Sequence, residues 1–254
     1  MRYRIGLFIL IPLLMGGCSS QPTSQLTIGA AASYTLTLDE LGPAFAQTGG
    51  IEPTISIGST GQLTQQIENG APFDVFMAAD ALHVDRLIED GLIVPESRTL
   101  IAYGRLVVIG AQDHALDLES IQDLTSTTIG RIAIANPEHA PYGQAALQAL
   151  ENSGLLSSLE NRIIYAETVR QAAQMVESGN AEVGIVAASV LTDRVIEYFT
   201  VPQDLFDPIE HVAGILAASS SQATADEFLT FLTSPTAQTI FEAYGFEPII
   251  PNSE

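Results

Sequence analysis

From Leu26 onward, short apolar runs alternate with segments of helical periodicity, and this alternation restricts the chain to an α/β fold. The runs expected as strands are Leu26–Ala30, Pro53–Ile57, Asp74–Ala78, Arg105–Gly110, Arg131–Ala135, Arg162–Tyr165 and Val183–Val186, with Val212–Ala218 late in the chain. Helices are expected over Thr35–Gln47, Gln62–Asn69, Ala81–Asp90, Gln144–Asn152 and Val169–Ser178, then Gln222–Thr233 and Pro235–Tyr244. Leu38, Leu41 and Phe45 fall on one face of the first helix, and Val169, Ala172, Ala173 and Val176 on one face of the fifth. A strand, a helix and a second strand in succession form a right-handed crossover, which makes neighbouring strands parallel. The pattern reads as two successive sheets, with a Pro- and Asp-containing crossing at Pro202–Pro208.

The residues before Leu26 follow a different logic. Arg2 and Arg4 open the chain, an apolar run from Ile5 to Met15 follows, and Gly16-Gly17 precede Cys18. A charged end, a short apolar stretch and small residues form the layout of a cleaved export signal, expected over residues 1–17. The apolar run is too short for a stable membrane span. Leu14-Met15-Gly16-Gly17-Cys18 resembles a bacterial lipobox, with Met15 where Leu is usual. That resemblance implies cleavage before Cys18, acylation of its thiol, and attachment to a membrane surface without a spanning helix. Residues 18–25 then serve as a lipidated tether. Cys18 is the only cysteine, so no internal disulfide can form. No pair among His83, His114, His139 and His211 has a zinc-ligand spacing, and no metal or cofactor site is expected.

The charge limits the partners. Nine Arg, no Lys and 30 acidic residues give a net charge of −21. Loss of Arg2 and Arg4 with the leader would leave the mature chain two charges more negative. A surface this acidic does not suit nucleic acid, and its overall field does not draw in anions. Any anionic ligand has to be held by local neutral groups.

Such groups are concentrated where strands give way to helices. Ala31-Ala32-Ser33 follow the first strand and Gly58-Ser59-Thr60-Gly61 the second. Asn136 to Gly143 and Ala166 to Arg170 follow two strands of the second sheet. In open α/β sheets, ligands bind beyond the carboxyl ends of the strands, where helix starts offer unpaired N–H groups and a positive dipole end. Small residues let an anion approach the backbone, and the hydroxyls of Ser33, Ser59, Thr60 and Tyr142 add donors. Each residue also has a plain structural reading. Ser33, Ser59 and Thr60 suit helix N-caps, Tyr142 suits a packed cleft wall, Val169 suits the first core position of its helix, and Arg170 suits an ion pair. Convergence of the four segments on one cleft is what turns them into an anion site.

The same stretches resemble the periplasmic molybdate-binding proteins of ABC importers. The resemblance is carried by Ala30-Ala31-Ala32-Ser33, Gly58-Ser59-Thr60-Gly61-Gln62-Leu63 and Gln66 to Phe76 with Ala79-Asp80. It continues through Asn136 to Gly143, Glu167-Thr168-Val169-Arg170, Gly184-Ile185-Val186 and Tyr244-Gly245-Phe246. It implies a two-lobed type II periplasmic-binding-protein fold, each lobe a mainly parallel sheet flanked by helices, with the ligand cleft between lobes. Residues 26–104 plus 209–254 would form one lobe and residues 105–208 the other. It further implies a monomer that captures molybdate or tungstate without a cofactor and delivers it to a membrane permease. The ligand contacts would come from Ser33, Thr60 and neighbouring Ser59 in the first lobe, and from Tyr142 and the backbone N–H of Val169 in the second. Some members carry a ligand-contacting Tyr where this chain has Ala187, and Tyr142 is expected to supply that hydroxyl. Two other readings remain at this stage: capture of sulfate or phosphate, with Asp80 or Glu138 as an acceptor for a protonated anion, and a hydrolase built on Ser59 and His139.

Overall fold

The computed structural model describes residues 25–112 and 116–249. The expected leader, Cys18 and most of the tether lie outside the described residues, as does His114.

The chain runs through β1 (Thr27–Ala31), α1 (Leu38–Gln47), β2 (Thr54–Gly58), α2 (Thr60–Glu68), β3 (Val75–Ala78), α3 (Leu82–Glu89) and β4 (Thr99–Gly104). It continues with β5 (Leu106–Ala111), β6 (Ile132–Ala135), α4 (Pro141–Asn152), the short α5 (Leu156–Leu159), β7 (Ile163–Ala166), α6 (Val169–Glu177), β8 (Val183–Ala187) and β9 (Val195–Thr200). The last part is β10 (Ile209–Ile215), α7 (Gln222–Leu232), α8 (Pro235–Ala243) and β11 (Glu247–Pro248). These strands form a six-stranded sheet in the order β11-β4-β10-β3-β1-β2 and a five-stranded sheet in the order β7-β6-β8-β5-β9. None of the described helices is long and apolar enough to cross a membrane.

Both sheets contain the expected parallel strands, β2-β1-β3 in one and β7-β6-β8 in the other. They are more mixed than the strand–helix alternation predicts. β10 runs antiparallel to β3 and β4, β11 runs antiparallel to β4, and β5 runs antiparallel to β8 and β9. β5 and β10 are the first strands after the chain changes sheets; they enter without a crossover helix, so nothing forces them to run parallel. β11 follows α8 and adds to the free edge of β4. β4, β9 and β11 were not expected as strands. β10 begins three residues earlier than the predicted Val212, directly after Pro208.

The crossings lie side by side. The chain leaves the first sheet at Gly104, and Gly104 pairs with Ile209, where it returns. In the second sheet, Val107 near the start of β5 pairs with Thr200 at the end of β9. Between them, the Val201 N–H donates to the Leu106 carbonyl at 2.8 Å.

The helices bury the faces their periodicity assigned. Leu38, Leu41 and Phe45 of α1 are buried, as are Val169, Ala172, Ala173 and Val176 of α6. Full burial of each large apolar side chain contributes roughly 1.5–3 kcal/mol. α4 starts at Pro141, earlier than predicted, because a proline at the first helical position loses no backbone bond. Its first turn presses on the end of β6. A Cβ at Gly143 would collide with the Ala135 carbonyl, and both groups are backbone. Gly143→Ala is therefore expected to destabilise the protein by about 1–3 kcal/mol, read as a lower midpoint in urea unfolding.

Candidate functional site

The carboxyl ends of β1, β2 and β3 in one sheet face those of β6 and β7 in the other. The segments that follow them meet around one cavity, lined by Ala31, Ala32, Ser33, Ser59, Thr60, Ala79, Ala140, Pro141, Tyr142 and Val169. All five predicted ligand-contact residues are among them. The cavity is small, about 10 Å³, far below the roughly 300–1,000 Å³ of pockets that take organic ligands. No lining residue carries a formal charge.

The hydroxyls are held in different ways. Ser33 sits in a short 3-10 turn, Ala32–Tyr34, and is 1% exposed. Its Oγ is buried without a hydrogen-bond partner. An orphaned buried polar atom costs on the order of 1–3 kcal/mol, so its presence at a cavity wall points to a missing partner. Thr60 opens α2, and its Oγ1 accepts a 3.1 Å bond from the Ala79 N–H. That bond uses a lone pair and leaves the hydroxyl hydrogen to donate. Ser59 is absorbed by a capping box: its Oγ accepts from the Gln62 N–H, and Gln62 Oε1 accepts from the Ser59 N–H, both at 3.4 Å. Of the three hydroxyls in this lobe, Ser59 alone follows the capping reading.

The second sheet supplies two helix starts. Val169 is the first residue of α6, with Thr168 as N-cap accepting from the Gln171 N–H at 3.2 Å. The cap serves the third helical N–H and leaves that of Val169 without an intrahelical acceptor. Arg170 pairs with Glu177 on the same helix at 2.7 Å. Burial alone would raise the Glu177 carboxyl, but hydrogen bonds from Arg170 and Thr192 outweigh it and hold it below its ordinary value. α4 has no side-chain cap, and Pro141 contributes no N–H. Tyr142, the next residue, is buried, and its hydroxyl lies 3.0 Å from His211 Nε2 on β10. Burial pushes the phenol well above its ordinary pKa, so the hydroxyl stays protonated. Ala187 ends β8, fully buried and outside the cavity lining.

The carboxylates considered for a protonated anion do not reach the cavity. Asp80 is engaged with His83 Nδ1 at 2.8 Å, and Glu138 is exposed. His139 Nε2 lies 3.5 Å from Glu167, outside hydrogen-bond alignment, while the Ser59 hydroxyl oxygen serves as a cap.

Several bonds join the two sheets around the cavity. The Gly61 N–H donates to the His139 carbonyl at 2.9 Å, Gln62 Nε2 to Glu167 Oε2 at 2.8 Å, and Ser189 Oγ to the Ser33 carbonyl at 2.8 Å. Ser189 and His211 were not singled out as site residues in the sequence. Each acts through a partner 156 or 69 residues away, and no local pattern marks it.

Gly61 allows a close backbone approach between the sheets. A Cβ there would stand 2.8 Å from His139 Cβ and 3.0 Å from its Cα. Gly61→Ala is expected to hold the sheets apart, so that small-angle scattering gives a larger radius of gyration than the parent protein. Alanine suits a helix start, so global stability should fall by less than about 1 kcal/mol.

Residues 26–247 match the family described as bacterial extracellular solute-binding protein. The chain is 34% identical over 237 residues to the molybdate-binding protein ModA of Rhodobacter capsulatus, covering 93% of each chain. It is 30% identical over 244 residues to a putative ABC transporter substrate-binding lipoprotein, YvgL, of Bacillus subtilis, covering 92% of this chain and 93% of that one. Among solved structures, the periplasmic molybdate-binding protein of Azotobacter vinelandii superposes with a TM-score of 0.82 at 33% identity, covering 90% of this chain and all of the other.

Proposed function

The chain belongs to the bacterial extracellular solute-binding proteins, and on that basis we propose that it captures molybdate or tungstate outside the cytoplasm and delivers it to an ABC importer. The observation that carries this reading is a small, uncharged cavity bordered by a buried hydroxyl with no partner, Ser33 Oγ. Similarity over nearly the whole chain to proteins named for molybdate supports it.

In this reading, residues 26–104 with 209–254 form one lobe and residues 105–208 the other. Ser33 and Thr60 donate from the first lobe, with Ser59 beside them. Tyr142 and the Val169 N–H donate from the second. A tetrahedral dianion in the cavity is bonded from both sides, so it binds the closed form better and raises its population. The closed monomer then docks on the permease. A site made only of donors suits a fully deprotonated dianion. A protonated phosphate would bury a hydroxyl with no acceptor, at a cost of about 1–3 kcal/mol. Sulfate carries the same charge as molybdate and has to be excluded by size. The protein does its work by binding and release, without catalysis and without a cofactor.

Calorimetric titration of the chain from residue 21 tests this reading. Molybdate and tungstate should bind tightly, and sulfate and phosphate weakly; tight sulfate or phosphate binding with none of molybdate or tungstate would overturn it. Ser33→Ala should weaken molybdate binding about tenfold. It should also leave the ligand-free protein as stable or more so, because it removes an unpaired buried polar atom. Loss of affinity and stability together would make Ser33 a structural residue instead.

We also propose that the leader is removed and that Cys18 is acylated, which holds the mature protein at a membrane surface. The lipobox-like stretch and the relative named as a lipoprotein support this. Cys18→Ala should move the protein from the membrane fraction to the soluble extracytoplasmic fraction. A protein that stays with the membrane after that change is anchored by other means.

A further inference from the structure

His211 has no evident reason to be where it is. It lies on β10 between Glu210 and Val212 and has no solvent exposure. Tyr34 and Phe246 meet its ring edge-on, each with centroids 4.9 Å away. Nε2 lies 3.0 Å from the Tyr142 hydroxyl, and Nδ1 has no partner among the described residues. A buried imidazole with one polar contact, directed across the cleft at a cavity-lining residue, is an expensive way to fill a core position.

The position of its hydrogen follows from those contacts. Burial pushes the imidazole pKa down to about 3, so the ring is neutral and carries one N–H. With the hydrogen on Nδ1, a buried donor would face no acceptor. With it on Nε2, only a lone pair is left bare, and buried acceptors go unpaired more readily than buried N–H groups. His211 therefore donates and Tyr142 Oη accepts. The phenol's own hydrogen is left to be given elsewhere. Ser189 Oγ gives its own hydrogen to the Ser33 carbonyl at 2.8 Å.

We propose that His211 is a positioning residue for oxyanion capture: by donating to Tyr142 Oη from the opposite lobe, it commits the Tyr142 hydrogen to the ligand once the lobes have closed. Room for this contact comes from Gly104, where the chain crosses between sheets. A Cβ there would fall on the Tyr142 hydroxyl and stand 3.0 Å from His211 Nε2. The inference rests on the molybdate-binding reading and adds the residue that orients one of its donors.

A double-mutant cycle tests it. Molybdate affinity is measured by calorimetry for the unmodified protein, Tyr142→Phe, His211→Phe and the double variant. Each single change should weaken binding about tenfold or more. The double variant should match Tyr142→Phe within about twofold, because His211 acts only through the phenol. His211→Gln, which keeps an N–H donor near the position of Nε2, should recover most of the affinity. Full affinity in either single variant, or losses that multiply in the double, would overturn the proposal and leave His211 as packing. If His211→Phe does not fold, the imidazole nitrogen shifts of the unmodified protein decide the point. A hydrogen on Nε2 supports the proposal, and one on Nδ1 overturns it. No molybdate binding by the unmodified protein would reject the functional reading itself, a result distinct from binding with multiplying losses.

Discussion

An oxyanion captured as proposed, in a protein with 30 acidic residues, must have its charge answered by dipoles, because the protein as a whole repels it. Helix starts and hydroxyls are the available dipoles, and one sheet can aim only a few of them at one point. Two facing sheets double the number. The rest of the architecture follows from that requirement. Strand ends face each other, small residues line the approach, and Gly61 lets an α2 backbone N–H reach the His139 carbonyl of the other sheet.

The wall of the cavity shows how the donors are kept ready. Thr60 is pre-aimed, since the Ala79 N–H fixes its oxygen and leaves only its hydrogen to give. Ser33 is kept buried without a partner, a cost that a ligand bound as proposed would relieve. Ser59, next to Thr60 in sequence, accepts the capping bond at the start of α2. As in Thr60, the bond from a backbone N–H occupies the hydroxyl oxygen and leaves its hydrogen to give.

Much of this was legible in the sequence. Periodicity located the parallel strands and the faces of α1 and α6, because those features depend on residues close together in the chain. The helix starts drew attention to Ser33, Ser59, Thr60, Tyr142 and Val169 for the same reason, and all five line one cavity. β4 and β9 escaped because each depends on a distant antiparallel partner for its extended form. His211 escaped more completely. In the chain it reads as a polar interruption of a strand, and its contact with Tyr142 exists only after two sheets have formed and met. Local chemistry is written in neighbouring residues, whereas positioning across a cleft is written in the topology.

The paired crossings carry a mechanical consequence. Gly104 pairs with Ile209 on one side and Val107 with Thr200 on the other, so the sheets are joined by two neighbouring connections whose ends are hydrogen-bonded together. A single strand would let the halves swivel in any direction. Two neighbouring attachments restrain swivelling, and they leave flexing about the line through them as the softest deformation. Opening then approximates a single angle, and whatever enters the cavity is reported to the outer surface as one coordinate. The permease of the proposed function, if it recognises the shape of the whole protein, needs to measure nothing else.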